Sequence, residues 1–565
     1  MSPRVAGRPL REPASVFGVA LLGSAALWGR LWVTSPTTRG VCGCGDPALF
    51  QWFLAWPAHA IATGHSLVFS RDLFHPAGIN LLSNTSVLAL GVPLAPITWL
   101  GGPVLTENVA LLLSVPVAAL TMDLLLRRLT ASTLPRVVLS LFWGFSPFVL
   151  ANLTESHLML AWIGVLPLLA LGVLDAASDD ARRARRGQVL LGVALVVQFF
   201  LSTELLALSC LLGAIAGVVL LASEAVGWAR ARRVPSAAVL AVARRLAIPI
   251  AAAVVVLAAP AAYALLGPRA LKGNIWGAGF NTGTTGSSLL DLLRPHATGG
   301  ALVALTGYSG TPVVQAQLVG WGILLATVAI ALWRFRDPVV RVAAVTTFAA
   351  LALSLSTTSE SWAPWGWLGR LPVLQDVVQL RVAVFGLFFA ILVAARGVDA
   401  LVRVPRVGTS LAVGALALCV VPVAVPEAQG LPLRTVHVSV PGWWRSPPHH
   451  GVVLSYPFPG LVIQSPLTWQ AEAGFPVSLV GGSGPQGTPA RAGADQAATV
   501  ILDALTSPPP HHTAPVASPA TAAPVRAMLL RDGVTEVVVP EVVRGHYLAA
   551  GRPSGPAVAF FTQVL

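Results

Sequence analysis

Long apolar stretches recur along this chain from Ala14 to Leu418, and a polypeptide that must hide so many of them from water has few folds open to it. A helix needs roughly 20 apolar residues to cross the hydrocarbon core of a bilayer. Hydrophobic residues make up 55% of the sequence and charged residues only 10%, with a mean hydropathy of +0.75, beyond what a water-soluble surface tolerates. The fold class expected is therefore an α-helical polytopic membrane protein. The first apolar run follows Arg4, Arg8 and Arg11, is long for the core of a secretory signal, and lacks a small-residue cleavage site, so it reads as an uncleaved span.

Charge is distributed with the same regularity. Arginines gather at alternate loops: Arg127/Arg128/Arg136, Arg182/Arg183/Arg185/Arg186, Arg230/Arg232/Arg233/Arg244/Arg245, Arg334/Arg336/Arg341 and Arg396/Arg403/Arg406, while all eleven histidines fall at the other set of ends. The positive-inside rule places the arginine loops in the cytoplasm. Val87 to Leu100 is ambiguous, because if it crossed, every later cluster would face outward. It is expected to be a half-buried or interfacial segment broken by Pro93, Pro96 and Gly101. About eleven spans remain, with the N-terminus cytoplasmic and the C-terminus extracytoplasmic in a multi-pass plasma-membrane protein. The net charge of +13 then reflects topology and contact with anionic membrane lipids, and nucleic acid is not an expected partner.

Residues 1–425 form the expected membrane domain, with a long first outer loop over 34–103. Past Leu418 the composition shifts, and 426–565 reads as a small extracytoplasmic α/β domain. Strands are expected over Thr435 to Val440, Gly451 to Tyr456, Pro476 to Val480, Glu536 to Val539 and Ala557 to Leu565. Helices are expected over Ala490 to Leu505 and Pro524 to Asp532, with a flexible Pro/Ala/Ser-rich loop from Ser507 to Pro524 between them. Cys210 and Cys419 lie in apolar spans as inert thiols. Cys42 and Cys44 suit a strained disulfide, a metal pair or an ordinary loop.

Chemistry is expected in the outer loops. The first is too long for a connector. Within it, Phe50 to Ala62 reads as a helix lying flat at the interface, where Trp52 and Trp56 either mark a functional helix or form an aromatic belt. Asp46 in Gly45-Asp46-Pro47 either caps the helix that follows or acts as a general base. Glu155 and His157 share a short second loop, where they either hydrogen-bond a span end, orient a phosphate or bind a divalent cation, the one cofactor weighed; metal binding is otherwise left open. Glu204 sits at the mouth of the apolar bundle. Outer basic residues are few: Arg71, Lys272 (the only lysine), Arg294 with His296, and Arg381 are candidates to bind a phosphate, with snorkelling to lipid as the alternative.

A first span, a long outer loop opening with Gly45-Asp46-Pro47 and carrying the Phe50 to Ala62 helix, and a short second loop with Glu155 resemble the multi-spanning glycosyltransferases of the GT-C superfamily. Phe74-His75-Pro76, Gly78-Ile79-Asn80, Phe145-Ser146-Pro147-Phe148 and His157-Leu158 are similar to segments of uncharacterised actinobacterial membrane proteins of that type. The resemblance implies inverting transfer of a sugar from a polyprenyl-phosphate donor to a glycan, lipid or protein acceptor of the cell envelope. It gives Asp46 the base position, Glu155 the second acidic position, and the outer arginines the lipid phosphate. The first loop opens with one acid where some families have an adjacent pair. Two other readings remain: a transporter or lipid flippase, against which stand the lack of internal repeats and the scarcity of ionisable residues in mid-span, and a non-catalytic scaffold whose outer domain binds a partner.

Overall fold

A computed structural model describes residues 11–41, 46–231, 237–271, 285–293, 316–371, 374–428, 431–446, 449–460, 463–484, 494–506, 515–545 and 548–565. Its apolar runs are helices: α1 (Arg11–Leu27), α2 (Leu31–Thr34), α3 (Asp46–Thr63), α4 (Leu88–Leu129), α5 (Thr133–Gly144), α6 (Pro147–Thr154), α7 (Leu158–Ala161), α8 (Val165–Ala176), α9 (Ala181–Leu201), α10 (Thr203–Ala231) and α11 (Ala237–Leu266). Trp321–Arg334, Pro338–Ser354, Ala383–Val402 and Gly408–Ala428 complete the bundle. Among the described residues, eight helical segments are long and apolar enough to cross a membrane, where the sequence led us to expect about eleven spans. Three shorter apolar helices, Glu12–Leu27, Trp321–Arg334 and Pro338–Ser354, pack with them. Of the cysteines, Cys419 is buried and Cys210 exposed, and Cys42 and Cys44 lie outside the described residues.

The segment before Leu100 is helical through Pro93 and Pro96, so the prolines do not break it as expected; the break is at Gly102, whose φ of 80° is open chiefly to glycine. From Leu88 to Gly101 the helix rises about 21 Å, short of the roughly 30 Å hydrocarbon core. It packs on α3, with Trp99 Nε1 donating to the Ala58 carbonyl at 3.1 Å. Glu472 from the tail accepts from the Val104 N–H just past the break.

One end of the bundle is a layer of ion pairs. Arg136, only 1% exposed, reaches Asp123 at 2.8 Å and Glu12 at 2.7 Å, and Arg127 joins Asp123 at 2.7 Å. Arg128 takes both oxygens of Asp175, Arg396 pairs with Asp337 at 2.6 Å, and Asp399 accepts from the N–H groups of Ala131 and Ser132. These arginines are therefore held by the chain's own carboxylates in addition to any lipid.

The tail does not stand apart from the first loop. Strand β1 (Arg39–Val41) pairs antiparallel with β4 (Thr435–His437), an expected tail strand whose partner is the loop. β2 (Phe69–Ser70) and β3 (Ile79–Asn80) form a hairpin within the loop. The parallel strands β5 (Val452–Ser455), β6 (Ser478–Leu479) and β7 (Val534–Val538), in the order β6-β5-β7, carry helices Ala494–Thr506 and Pro519–Arg531. β8 (Val542–Gly545) and β9 (Leu548–Pro553) add a hairpin. Two expectations fail here. The expected strand Ala557 to Leu565 lies in a helix, Gly555–Val564, whose Ala557, Phe560, Phe561 and Val564 recur at helical spacing into the tail core. The expected loop ends early, because Ser518 and Thr521 form a capping box that starts a helix at Pro519.

The tail helix Ser465–Glu472 lies on α3 and covers its two tryptophans. Trp52 and Trp56 stack 5.2 Å apart under Phe475, both nearly devoid of exposure, and Trp52 Nε1 donates to Gln470 Oε1 at 2.7 Å. They are the core between loop and tail rather than a belt.

Replacing Arg136 by Met leaves Asp123 and Glu12 with Arg127 alone and is expected to cost about 3–5 kcal/mol, whereas Arg403→Gln, which removes an exposed guanidinium from Asp399 and leaves that carboxylate its backbone donors, should cost under about 1 kcal/mol. Unfolding midpoints of the detergent-solubilised variants check the difference.

Candidate functional site

Asp46 opens α3 and Glu155 to His157 form the turn between α6 and α7. The packing of α3 on α4, and of α6 and α7 beside it, brings the two together: Asp46 Oδ2 lies 2.7 Å from His157 Nε2. On the other side of the ring, His157 Nδ1 faces Glu155 Oε2 at 3.3 Å and Asn152 Oδ1 at 3.2 Å. Asn152 donates its own amide to the Phe148 carbonyl, which leaves its oxygen as the acceptor toward the ring. With acceptors at both ring nitrogens, the imidazolium, a donor at both, is the form the site fits.

The charges on this pair support each other. Burial alone would raise the Asp46 pKa, but the facing imidazolium, its hydrogen bond, Arg381 and the Gln464 amide hold the carboxyl below its ordinary value. Burial alone would lower His157; the Asp46 charge and hydrogen bond, helped by Glu155, push it above its ordinary value. Both side chains keep a face to solvent, 30% exposed for Asp46 and 20% for His157. Arg381 pairs with Glu204, whose second oxygen accepts from the Val378 N–H at 2.9 Å. Beside Asp46 a recess opens between the first turns of α3 and the tail, lined by Pro47, Ala48, Gln51, His437, Thr468 and Trp469.

Of the residues singled out from the sequence, Asp46, Glu155, His157, Glu204 and Arg381 converge here. The carboxylate of Asp46 is turned to the imidazole. Arg71 lies exposed in the turn after β2, away from these contacts. Lys272, Arg294 and His296 lie outside the described residues. Among the described residues no group of three or more His, Cys, Asp or Glu is arranged to hold a metal ion. A cation shared by Glu155 and His157 would have to compete with the proton on Nδ1. Sequence reasoning missed Gln464, Gln51 and Glu107. The first two carry no sequence signal, but Glu107 is an acid within an otherwise apolar run, a signal that was there to be used.

The site and the arginine layer occupy opposite ends of the same helices. The segment Thr133–Thr154 starts beside Arg136 and runs to Glu155, and Gln379–Val402 starts at Arg381 and runs to Asp399. Together the fold and site define a multi-pass α-helical membrane protein with a polar cluster at one end of its bundle.

No protein-family model matches the chain, and no curated protein matches it in sequence. Among solved structures it is similar to the apo oligosaccharyltransferase of Archaeoglobus fulgidus, at 12% identity over 92% of this chain and 69% of that one, with a TM-score of 0.45. It is also similar to the arabinofuranosyltransferase AftD from Mycobacteria, at 15% identity over 80% of this chain and 30% of that one, TM-score 0.44. A third is ArnT from Cupriavidus metallidurans bound to undecaprenyl phosphate, at 14% identity over 72% and 63% of the two chains, TM-score 0.37.

The Asp46–His157 pair should stabilise the fold by about 1.5–3 kcal/mol within a defined pH window. His157, raised on folding, contributes fully below about pH 6.5 and loses its contribution as pH rises through its folded value. Asp46, lowered on folding, contributes above about pH 3.9 and loses its contribution as pH falls through its folded value. The gap in unfolding midpoint between the native protein and Asp46→Asn should therefore be widest between these limits and close on either side.

Proposed function

We propose that this protein is a membrane glycosyltransferase that moves a sugar from a polyprenyl-phosphate donor to a cell-envelope acceptor, with inversion at the anomeric carbon. The observation that carries the reading is the Asp46 carboxylate held ionised beside His157 and Arg381, at the end of an apolar bundle. A polyprenyl-phosphate sugar has its reactive bond at the lipid boundary and its tail in the bilayer, so an enzyme for it needs a carboxylate and cations at that depth.

In this reading Asp46 takes the proton of an acceptor hydroxyl as that oxygen forms a bond to the anomeric carbon. The bond from that carbon to the phosphate oxygen breaks, and its electron pair leaves on the polyprenyl phosphate. The added negative charge is met by the His157 imidazolium and the Arg381 guanidinium. Glu155 keeps His157 protonated and turned toward Asp46, and Glu204 orients Arg381. The recess between α3 and the tail is where an acceptor would approach Asp46. By the positive-inside rule the arginine layer is cytoplasmic, which puts the site and the tail on the extracytoplasmic face of the plasma membrane.

Purified protein in liposomes with radiolabelled polyprenyl-phosphate sugars and envelope acceptor extract tests this. Label should pass to acceptor with the native protein and fall about 100-fold or more with Asp46→Asn. Equal transfer by the two would remove Asp46 from the chemistry; no transfer by either, with both folded and a broad donor panel, would overturn the reading in favour of a scaffold or transporter.

A further inference from the structure

Beneath the Asp46–His157 pair runs a chain of hydrogen bonds that touches neither residue. Thr468 Oγ1 of the tail donates to Gln51 Oε1 at 2.6 Å, and Gln51 Nε2 donates to Glu107 Oε2 at 2.7 Å. From the other side, Ser156 Oγ donates to Glu107 Oε1. Glu107 is fully buried, one turn past the break at Gly102. Its two donors sit on the two segments that carry the site: Gln51 on α3, five residues after Asp46, and Ser156 between Glu155 and His157.

The donor pattern dictates the residue type. Thr468 fixes the Gln51 oxygen on its own side, so the Gln51 N–H must point at position 107. A carboxylate accepts at both oxygens, which an amide cannot do. Ser156 has a φ of 55°, a left-handed conformation that a non-glycine residue keeps only where its surroundings hold it. It lies in the turn that presents His157 to Asp46, with Glu155 on the far side of the ring.

We propose that Glu107 is a positioning residue for the working pair, tying the helix that begins with Asp46 to the turn that presents His157. This rests on the reading of Asp46 and His157 as the reacting centre. Glu107 acts only through Gln51 and Ser156, and the link to Thr468 makes the geometry of the pair depend on how the tail is seated.

An exchange of the two partners tests it. Gln51→Glu sets two carboxylates face to face, and Glu107→Gln sets two amides face to face. The double variant restores every donor and acceptor: the new carboxylate at position 51 accepts from Thr468, and the new amide at position 107 donates to that carboxylate while accepting from Ser156. Two quantities are read: the kcat and KM of sugar transfer, and the rate at which diethylpyrocarbonate modifies His157 at neutral pH, followed by peptide mass spectrometry with exposed His450 as reference. Each single variant should lower kcat by about tenfold or more with little change in KM and raise the modification of His157 several-fold. The double variant should return both toward native values. Single variants with native His157 reactivity, or a double variant no better than the worse single one, would overturn the proposal. Should a single variant fail to fold, Ser156→Ala removes one hydrogen bond and carries the same expectation. Should the native protein transfer no sugar, the modification rates still decide the role of Glu107, and only the glycosyltransferase reading falls.

Discussion

A carboxylate withdrawn from water among apolar helices must be met by donors or by positive charge, and this chain withdraws several at one end of its bundle. Asp46 is met by His157, Gln464 and Arg381, Glu204 by Arg381 and the Val378 N–H, and Glu107 by Gln51 and Ser156. Each requirement joins segments far apart in sequence. The folding of the first loop, the α6–α7 turn, the start of the Gln379–Val402 segment and the tail is thus settled together, by the need to leave no buried carboxyl without a partner.

The opposite end obeys the same rule with a different outcome. There the arginines outnumber their partners, and the carboxylates of Glu12, Asp123, Asp175, Asp337 and Asp399 are each engaged by arginine or backbone N–H groups. At that end each of these carboxylates is paired within the chain. At the site end the pair of Asp46 and His157 retains a solvent-facing side, and its charges are held in place without being spent on sealing the structure. Preorganised charge of this kind is what a reaction that builds up negative charge on a leaving phosphate requires.

Much of this was legible in the sequence because the bilayer imposes strict rules. The apolar runs gave the helices, the alternation of arginine gave two ends, an acid or imidazole beside a span end marked Asp46, Glu155, His157 and Glu204, and the scarcity of outer basic residues marked Arg381. What could not be read depends on contacts between distant segments. Trp52 and Trp56 looked interfacial because nothing local showed that Ser465–Glu472 would cover them. Ala557 to Leu565 looked like a strand from its composition, whereas the spacing of its buried residues is helical. Pro93 and Pro96 looked like breaks, yet the helix passes through both and stops at Gly102. Gln464, Gln51 and Thr468 are ordinary polar residues whose meaning comes only from what the fold sets against them.

The central claim is that a lipid-linked phosphate binds at the Asp46–His157 pair. The most direct measurement is a cryo-EM structure of the protein in a lipid nanodisc with a non-hydrolysable polyprenyl-phosphate sugar. The phosphate is expected within hydrogen-bond reach of Arg381 and beside the Asp46–His157 pair, with the anomeric carbon facing Asp46. A phosphate seated elsewhere, with the Asp46–His157 pair closed and unvisited, would contradict the claim.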